Sequence, residues 1–170
     1  MAKMMLSAFA DEYAADLKEQ LAALRRFDID YLELRHADGK NVAHLTAGDV
    51  NEVQSKLRTY GIKVCAIGSP LGKIAIDGDL QAHLELTKRV CETASRLETE
   101  YVRMFSFYLP AGQSRTESRA QVVDMLGRML DIADQFGVVM CHENEANIYG
   151  DIPQRCLELM EQLPGLQCVF

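Results

Sequence analysis

Val138-Val139-Met140-Cys141-His142-Glu143-Asn144-Glu145 is the stretch on which the reading of this chain turns. Its apolar first half predicts a buried strand, and the polar tetrad after it predicts that the strand delivers charge at its carboxyl end. Ionised carboxylates are rarely left beside an apolar core without a cation or hydrogen-bond donors, because burying an unpaired charge costs on the order of several kcal/mol. The tetrad is therefore a candidate ligand site.

Working outward, short β-rich runs alternate with longer segments whose apolar residues recur at three and four. Strands are expected at 4–9, 31–34, 63–67, 101–105, 138–141 and 166–170, with five helices between them. The first helix carries Leu17, Leu21 and Leu24; the second Val50, Val53, Leu57 and Tyr60; the third Thr87, Val90, Ala94 and Leu97. Ser114-Arg115-Thr116-Glu117 resembles a capping box, from which Leu126, Met129, Leu130 and Ala133 run on to Phe136 and Gly137. The fifth helix begins at Asp151, with Pro153 near its first turn, carries Cys156, Met160 and Leu163, and stops at Pro164-Gly165. Strands joined by such helices are parallel with right-handed crossovers, so the fold class is α/β: part of a (β/α)8 barrel or an open doubly wound parallel sheet. In both, ligands bind at the carboxyl ends of the strands. The longest irregular stretches, 68–79 and 106–113, fall on that side.

A chain of 170 residues, 48 % hydrophobic and 25 % charged, is enough for one ordinary domain, and residues 1–170 are read as one. The net charge of −7 argues against nucleic acid and anionic membrane surfaces as partners. Without a signal-peptide h-region or a run of ~18 apolar residues, a cytoplasmic location is expected. Cys65, Cys91, Cys141, Cys156 and Cys168 include no C-x-x-C pair and read as small core residues.

More polar residues stand at or near strand ends: Glu33, Arg35 and His36 at the second, Ser69 at the third, Arg103 in the fourth. Parallel strands bring these to one face with the tetrad. Glu143 is the candidate metal ligand or general base, and alternation should turn only one of Glu143 and Glu145 inward. Arg103 could salt-bridge Glu33, and His142 reads as a hydrogen-bonded support beside the carboxylate. H-E-x-x-H is absent, because Ala146 stands where the second histidine would be. Gly68-Ser69-Pro70-Leu71-Gly72-Lys73 is one residue short of a phosphate-binding loop, and His44 and His83 read as solvated surface.

Phe9-Ala10-Asp11-Glu12, Tyr31-Leu32-Glu33-Leu34-Arg35, Val102-Arg103-Met104-Phe105 and Cys141-His142-Glu143-Asn144, in that order and spacing, resemble the xylose isomerase-like TIM barrels, the sugar phosphate isomerase/epimerase group. The resemblance implies a divalent metal, Mn2+ or Mg2+, on Glu143, and a sugar substrate processed through an enediolate, with Glu143 moving the proton. Glu33, Arg103, His142 and Asn144 would bind the substrate. The family's other metal ligands lie on the sixth and later strands, and a closed barrel needs ~250 residues, so an incomplete barrel of about strands 1 to 6 with an incomplete metal site is expected. Its open edges would need a complementing chain or a homodimer, and the isolated chain is expected to be inactive. A keto-polyol dehydratase on the same fold is the alternative activity. The family's DNA-repair branch is disfavoured by the net charge.

Overall fold

Side-chain alternation gives each strand a sealed side and an open one. In the computed structural model, which describes residues 4–169, β1 (Ser7–Ala8) is followed by α1 (Leu17–Arg26), β2 (Tyr31–Leu34), a hairpin of β3 (His36–Ala37) and β4 (Lys40–Asn41), and α2 (Ala47–Tyr60). Then come β5 (Lys63–Gly68), α3 (Leu80–Arg96), β6 (Tyr101–Met104), α4 (Arg115–Gln135), β7 (Val139–Glu143), α5 (Pro153–Gln162) and β8 (Gln167–Val169). Strands β1, β2, β5, β6, β7 and β8 form one all-parallel sheet in that order. A doubly wound sheet reverses its strand order at a switch point. This sheet never does, which sets the doubly wound alternative aside and leaves an incomplete barrel. Among the described residues β1 pairs only with β2, and β8 only with β7. Phe170, assigned to the last strand from sequence, lies outside the described residues.

On the sealed side Leu32, Leu34, Val102, Met104 and Met140 are at most 1 % exposed and share a core with Leu21, Val53, Val90, Leu126 and Leu159 of the five helices. Burying each such side chain contributes about 1.5–3 kcal/mol. On the other side Tyr31, Glu33, Arg103, Val139 and Glu143 are half-buried, and Tyr101 is 48 % exposed. A closed barrel fills that side with layered side chains; here it stands open.

Helices α1 to α4 start where a side chain satisfies a free N–H group. Thr46 with Asp49 and Ser114 with Glu117 form capping boxes, the second as the sequence predicts. Helix α5 begins at Pro153 rather than Asp151, because Asp151 is drawn off to pair with Arg115 and Arg155. Leu159, not Met160, is its most buried apolar residue. Cys91, Cys141 and Cys156 are buried, and Cys65 and Cys168 partly so.

The long loops are tied into an extra layer above the strand ends. Phe105 N–H donates to Leu71 O (2.8 Å), Phe107 N–H to Gly72 O (2.9 Å), Ile76 N–H to Tyr108 O (2.9 Å) and Tyr149 N–H to Phe107 O (3.0 Å). Gly72, at φ +81°, makes this possible, since a Cβ there would lie 1.9 Å from Phe105 O. His83 corrects the sequence reading. It is 3 % exposed, because α3 turns it inward, where Nε2 accepts from Gly72 N–H at 2.9 Å and the ring meets Phe107 edge-on.

Candidate functional site

The carboxyl ends of β1, β2, β5, β6 and β7 place a row of alternating cations and rings along one rim. Arg35 lies 5.0 Å from the Phe9 ring centre, and Arg103 lies 5.8 Å from Phe9 and 4.7 Å from Phe105. Lys73 lies 4.1 Å from Phe105. Each cation over a ring face is favourable by about 0.5–1 kcal/mol where solvent reaches it. Each also meets a carboxylate: Arg35 meets Asp11 (2.7 Å) and Glu12 (3.2 Å), Arg103 meets Glu143 (3.3 Å), and Lys73 meets Glu145 (2.6 Å). Gly68 admits the row, since a Cβ there would lie 2.8 Å from Phe9 and 3.2 Å from the Arg103 guanidinium.

Arg103 sits at the centre of the row, its side chain 11 % exposed. Burial pulls its guanidinium below the usual value, and Glu143 offsets part of that. The approach to Glu143 does not align into a hydrogen bond, and Arg103 Nε has no partner. A buried donor left free is suited to receive a ligand oxygen, above all one that gains negative charge. The salt bridge between Arg103 and Glu33 envisaged from sequence is not formed: Glu33 instead accepts from Ser7 Oγ at 2.8 Å. Glu143 and Glu145 both act on Arg103. Alternation does not separate them, because residues two apart point to the same side of a strand, and Glu145 lies just beyond the end of β7.

Asn144 is exposed beside Glu143. His142 takes the opposite side of the strand. It is 1 % exposed, with Nε2 2.9 Å from Ser106 Oγ, which also accepts from Gly150 N–H at 2.7 Å. That position corrects its reading as a substrate contact: the ring faces the helical layer and supports the loop under Gly150. Burial alone lowers its pKa to about 4. Ser69, fully buried, donates to Arg103 O at 2.6 Å and so braces β6. The structure thus brings Glu33, Arg103 and Glu143 to the open side, leaves Asn144 exposed just past the end of β7, and turns His142 away.

Sequence reading missed the part played by Lys73, Phe9 and Phe105, because a row built across strands leaves no local pattern. It also missed the β3–β4 hairpin, whose signal, Asp38-Gly39 with both φ positive, was available. A cavity of about 470 Å³ lies between α2, α3 and the amino-terminal ends of β2 and β5, and none of the candidate residues lines it.

A resident metal does not fit these residues as they stand. Among the described residues no three His, Cys, Asp or Glu side chains converge on a point, and the cation that Glu143 meets is Arg103. Among the described residues, too, no helix is long and apolar enough to cross a membrane.

Comparison with known proteins agrees with the topology. A D-tagatose 3-epimerase-like protein superposes with a TM-score of 0.75 at 16 % identity, over 97 % of this chain and 63 % of that one. The IOLI protein, in a structure with a bound zinc atom, gives 0.74 at 20 %, over 97 % and 61 %. The probable 3-DHS dehydratase AsbF from Bacillus anthracis gives 0.75 at 17 %, over 98 % and 62 %. The chain thus spans less than two thirds of each of these structures. No curated protein matches it in sequence. The xylose isomerase-like TIM barrel family matches residues 21–169, and the chain belongs to that family.

Proposed function

We propose that this chain supplies the first six strands of a sugar isomerase or epimerase in which Glu143 moves a proton at a carbon next to a carbonyl. The observation that carries the reading is the ion pair on the open side between Glu143 and Arg103, a carboxylate able to take a proton beside a buried donor whose N–H is not hydrogen-bonded. Proton removal next to a carbonyl leaves negative charge on oxygen, and Arg103 Nε is the group positioned to receive it. Glu33 and Asn144 would hold hydroxyls of the sugar. Returning the proton to the opposite face of the same carbon gives an epimer; returning it to the neighbouring carbon gives an isomer.

The substrate is a sugar or sugar phosphate. A divalent cation, Mn2+ or Mg2+, belongs to this proposal for the whole protein, with Glu143 as one donor and the others outside the described residues. The isolated chain is accordingly proposed to be inactive.

Product analysis of ketoses incubated with the protein from its full reading frame, with and without Glu143→Gln, is the test. Epimer or isomer formation that falls by roughly 10²- to 10⁴-fold in the variant supports the role; undiminished turnover refutes it. A dehydratase, the probable activity of the B. anthracis neighbour, would instead release water and yield an unsaturated product.

A further inference from the structure

The loop after β5 carries a motif that the chemistry of Glu143 leaves unexplained, Gly68-Ser69-Pro70-Leu71-Gly72-Lys73. It does not cradle a phosphate, because its backbone donors are spent inside the fold. Ser69 N–H donates to Ile67 O (3.1 Å), Leu71 N–H to Ser69 Oγ (3.2 Å) and Lys73 N–H to Pro70 O (3.0 Å). Gly72 N–H donates to His83 Nε2 at 2.9 Å, which ties the loop to α3. A backbone N–H only donates, so Nε2 carries a lone pair and the proton of the neutral ring sits on Nδ1.

Three contacts close a ring around Gly72. His83 takes its N–H, Phe107 N–H donates to its carbonyl at 2.9 Å, and the Phe107 ring meets the His83 ring edge-on, with centroids 5.9 Å apart. Lys73 follows directly, its Nζ 4.1 Å from the centre of the Phe105 ring and 2.6 Å from Glu145. Phe105 N–H is held by Leu71 O, and Arg103 lies 4.7 Å from the centre of the same ring. The placing of Lys73 and Phe105 on the rim thus depends on a histidine of α3 that is not itself in the row. Burial holds the pKa of His83 below its ordinary value, and no charged neighbour contributes. On the elements packed around it, Lys73 is paired with Glu145, Asp79 accepts from Ala82 N–H, Glu117 accepts from Ser114, and Tyr149 donates to Glu158.

We propose that His83 is a positioning residue of the rim: its neutral ring fixes the loop at Gly72, and so sets Lys73 and Phe105 beside Arg103, and its protonation releases that loop. In the step, a proton from water adds to the Nε2 lone pair. Nε2–H then faces Gly72 N–H, donor against donor, and the hydrogen bond between them is lost. Loss of the proton restores it. The rim is therefore complete at neutral pH and loosens as pH falls through the folded value of His83, below 6.5. The consequence for ligand binding rests on the proposed sugar site; the geometry of the loop does not.

Long-range ¹⁵N–¹H NMR of the imidazoles and amide spectra, recorded on the full 170-residue chain from neutral to acidic pH, test it. The expected result is a protonated Nδ1 and an unprotonated Nε2 on His83 at neutral pH, with an acid titration whose midpoint is shared by the signals of Gly72, Phe107 and Lys73. His83→Gln, whose side-chain oxygen accepts but does not titrate, should keep the neutral-pH signals of Lys73 and Phe105 and lose that acid shift. His83→Leu should displace them at every pH. A protonated Nε2 at neutral pH overturns the inference, as does an acid shift at Gly72 and Lys73 that persists in His83→Gln, or a His83→Leu chain in which Lys73 and Phe105 are unmoved. In the protein from its full reading frame, KM for D-tagatose should rise toward acid pH and rise less in His83→Gln; an equal rise in both overturns the role in binding. A protein that turns over no ketose sinks the sugar site, and the NMR result alone then decides the role of His83.

Discussion

The two sides of the sheet obey opposite rules. Beneath the helices Leu32, Val102 and Met140 are at most 1 % exposed, whereas Tyr31, Arg103 and Val139, their immediate neighbours in sequence, are only half-buried. One side is settled by apolar burial, which is indifferent to direction. The other is settled by paired charge, which holds only where geometry matches. The side that stabilises the fold is therefore distinct from the side on which binding is proposed, and substitutions on the two should behave differently.

The sharpest contrast is truncation on each side. Met140→Ala, from a fully buried position, should lose about 2–5 kcal/mol of unfolding free energy in a denaturant titration. Tyr101→Ala on the open side should lose under about 1 kcal/mol. Equal losses would mean that the open side is as closely packed as the sealed one.

This contrast also explains what could be read from sequence. Alternation in Tyr31–Leu34 and the spacing of Leu17, Leu21 and Leu24 are local, so strands, helices and the Ser114–Glu117 box were legible. The position of Glu143 at the end of β7 was legible because charge directly follows an apolar run. His83 was not, since its partner, Gly72 N–H, lies in a loop eleven residues away, and a helical histidine carries no mark of the side it will face. Nor was the contact of His36 with Asp11, 25 residues apart, which exists only once β1 and β2 lie side by side.

His142 extends the comparison to pH. Its ordinary value is near 6.5 and the folded value about 4, so between these pH values the unfolded chain takes up a proton that the folded chain refuses. Stability is thus complete above pH 6.5 and declines as pH falls toward 4, by about 3 kcal/mol in all. Unfolding free energies measured across that window should flatten in His142→Asn; an unchanged slope would assign the acid sensitivity elsewhere.

The loop layer should respond next. Gly72→Ala forces a Cβ onto Phe105 O at positive φ and should cost at least about 1 kcal/mol, seen as a lower denaturation midpoint. Lys73→Ala is the smallest change. Its ion pair with Glu145 is a third exposed on both sides, so stability should shift by no more than about 1 kcal/mol, and less in high salt.

The proposed role of Glu143 is to move a proton on the open side of the sheet. Incubation of a ketose in deuterium oxide with the protein from its full reading frame, followed by NMR at the carbon beside the carbonyl, tests it most directly. Enzyme-dependent deuterium incorporation at that carbon is expected, reduced roughly 10²- to 10⁴-fold in Glu143→Gln. Incorporation at the same rate in Glu143→Gln would contradict it.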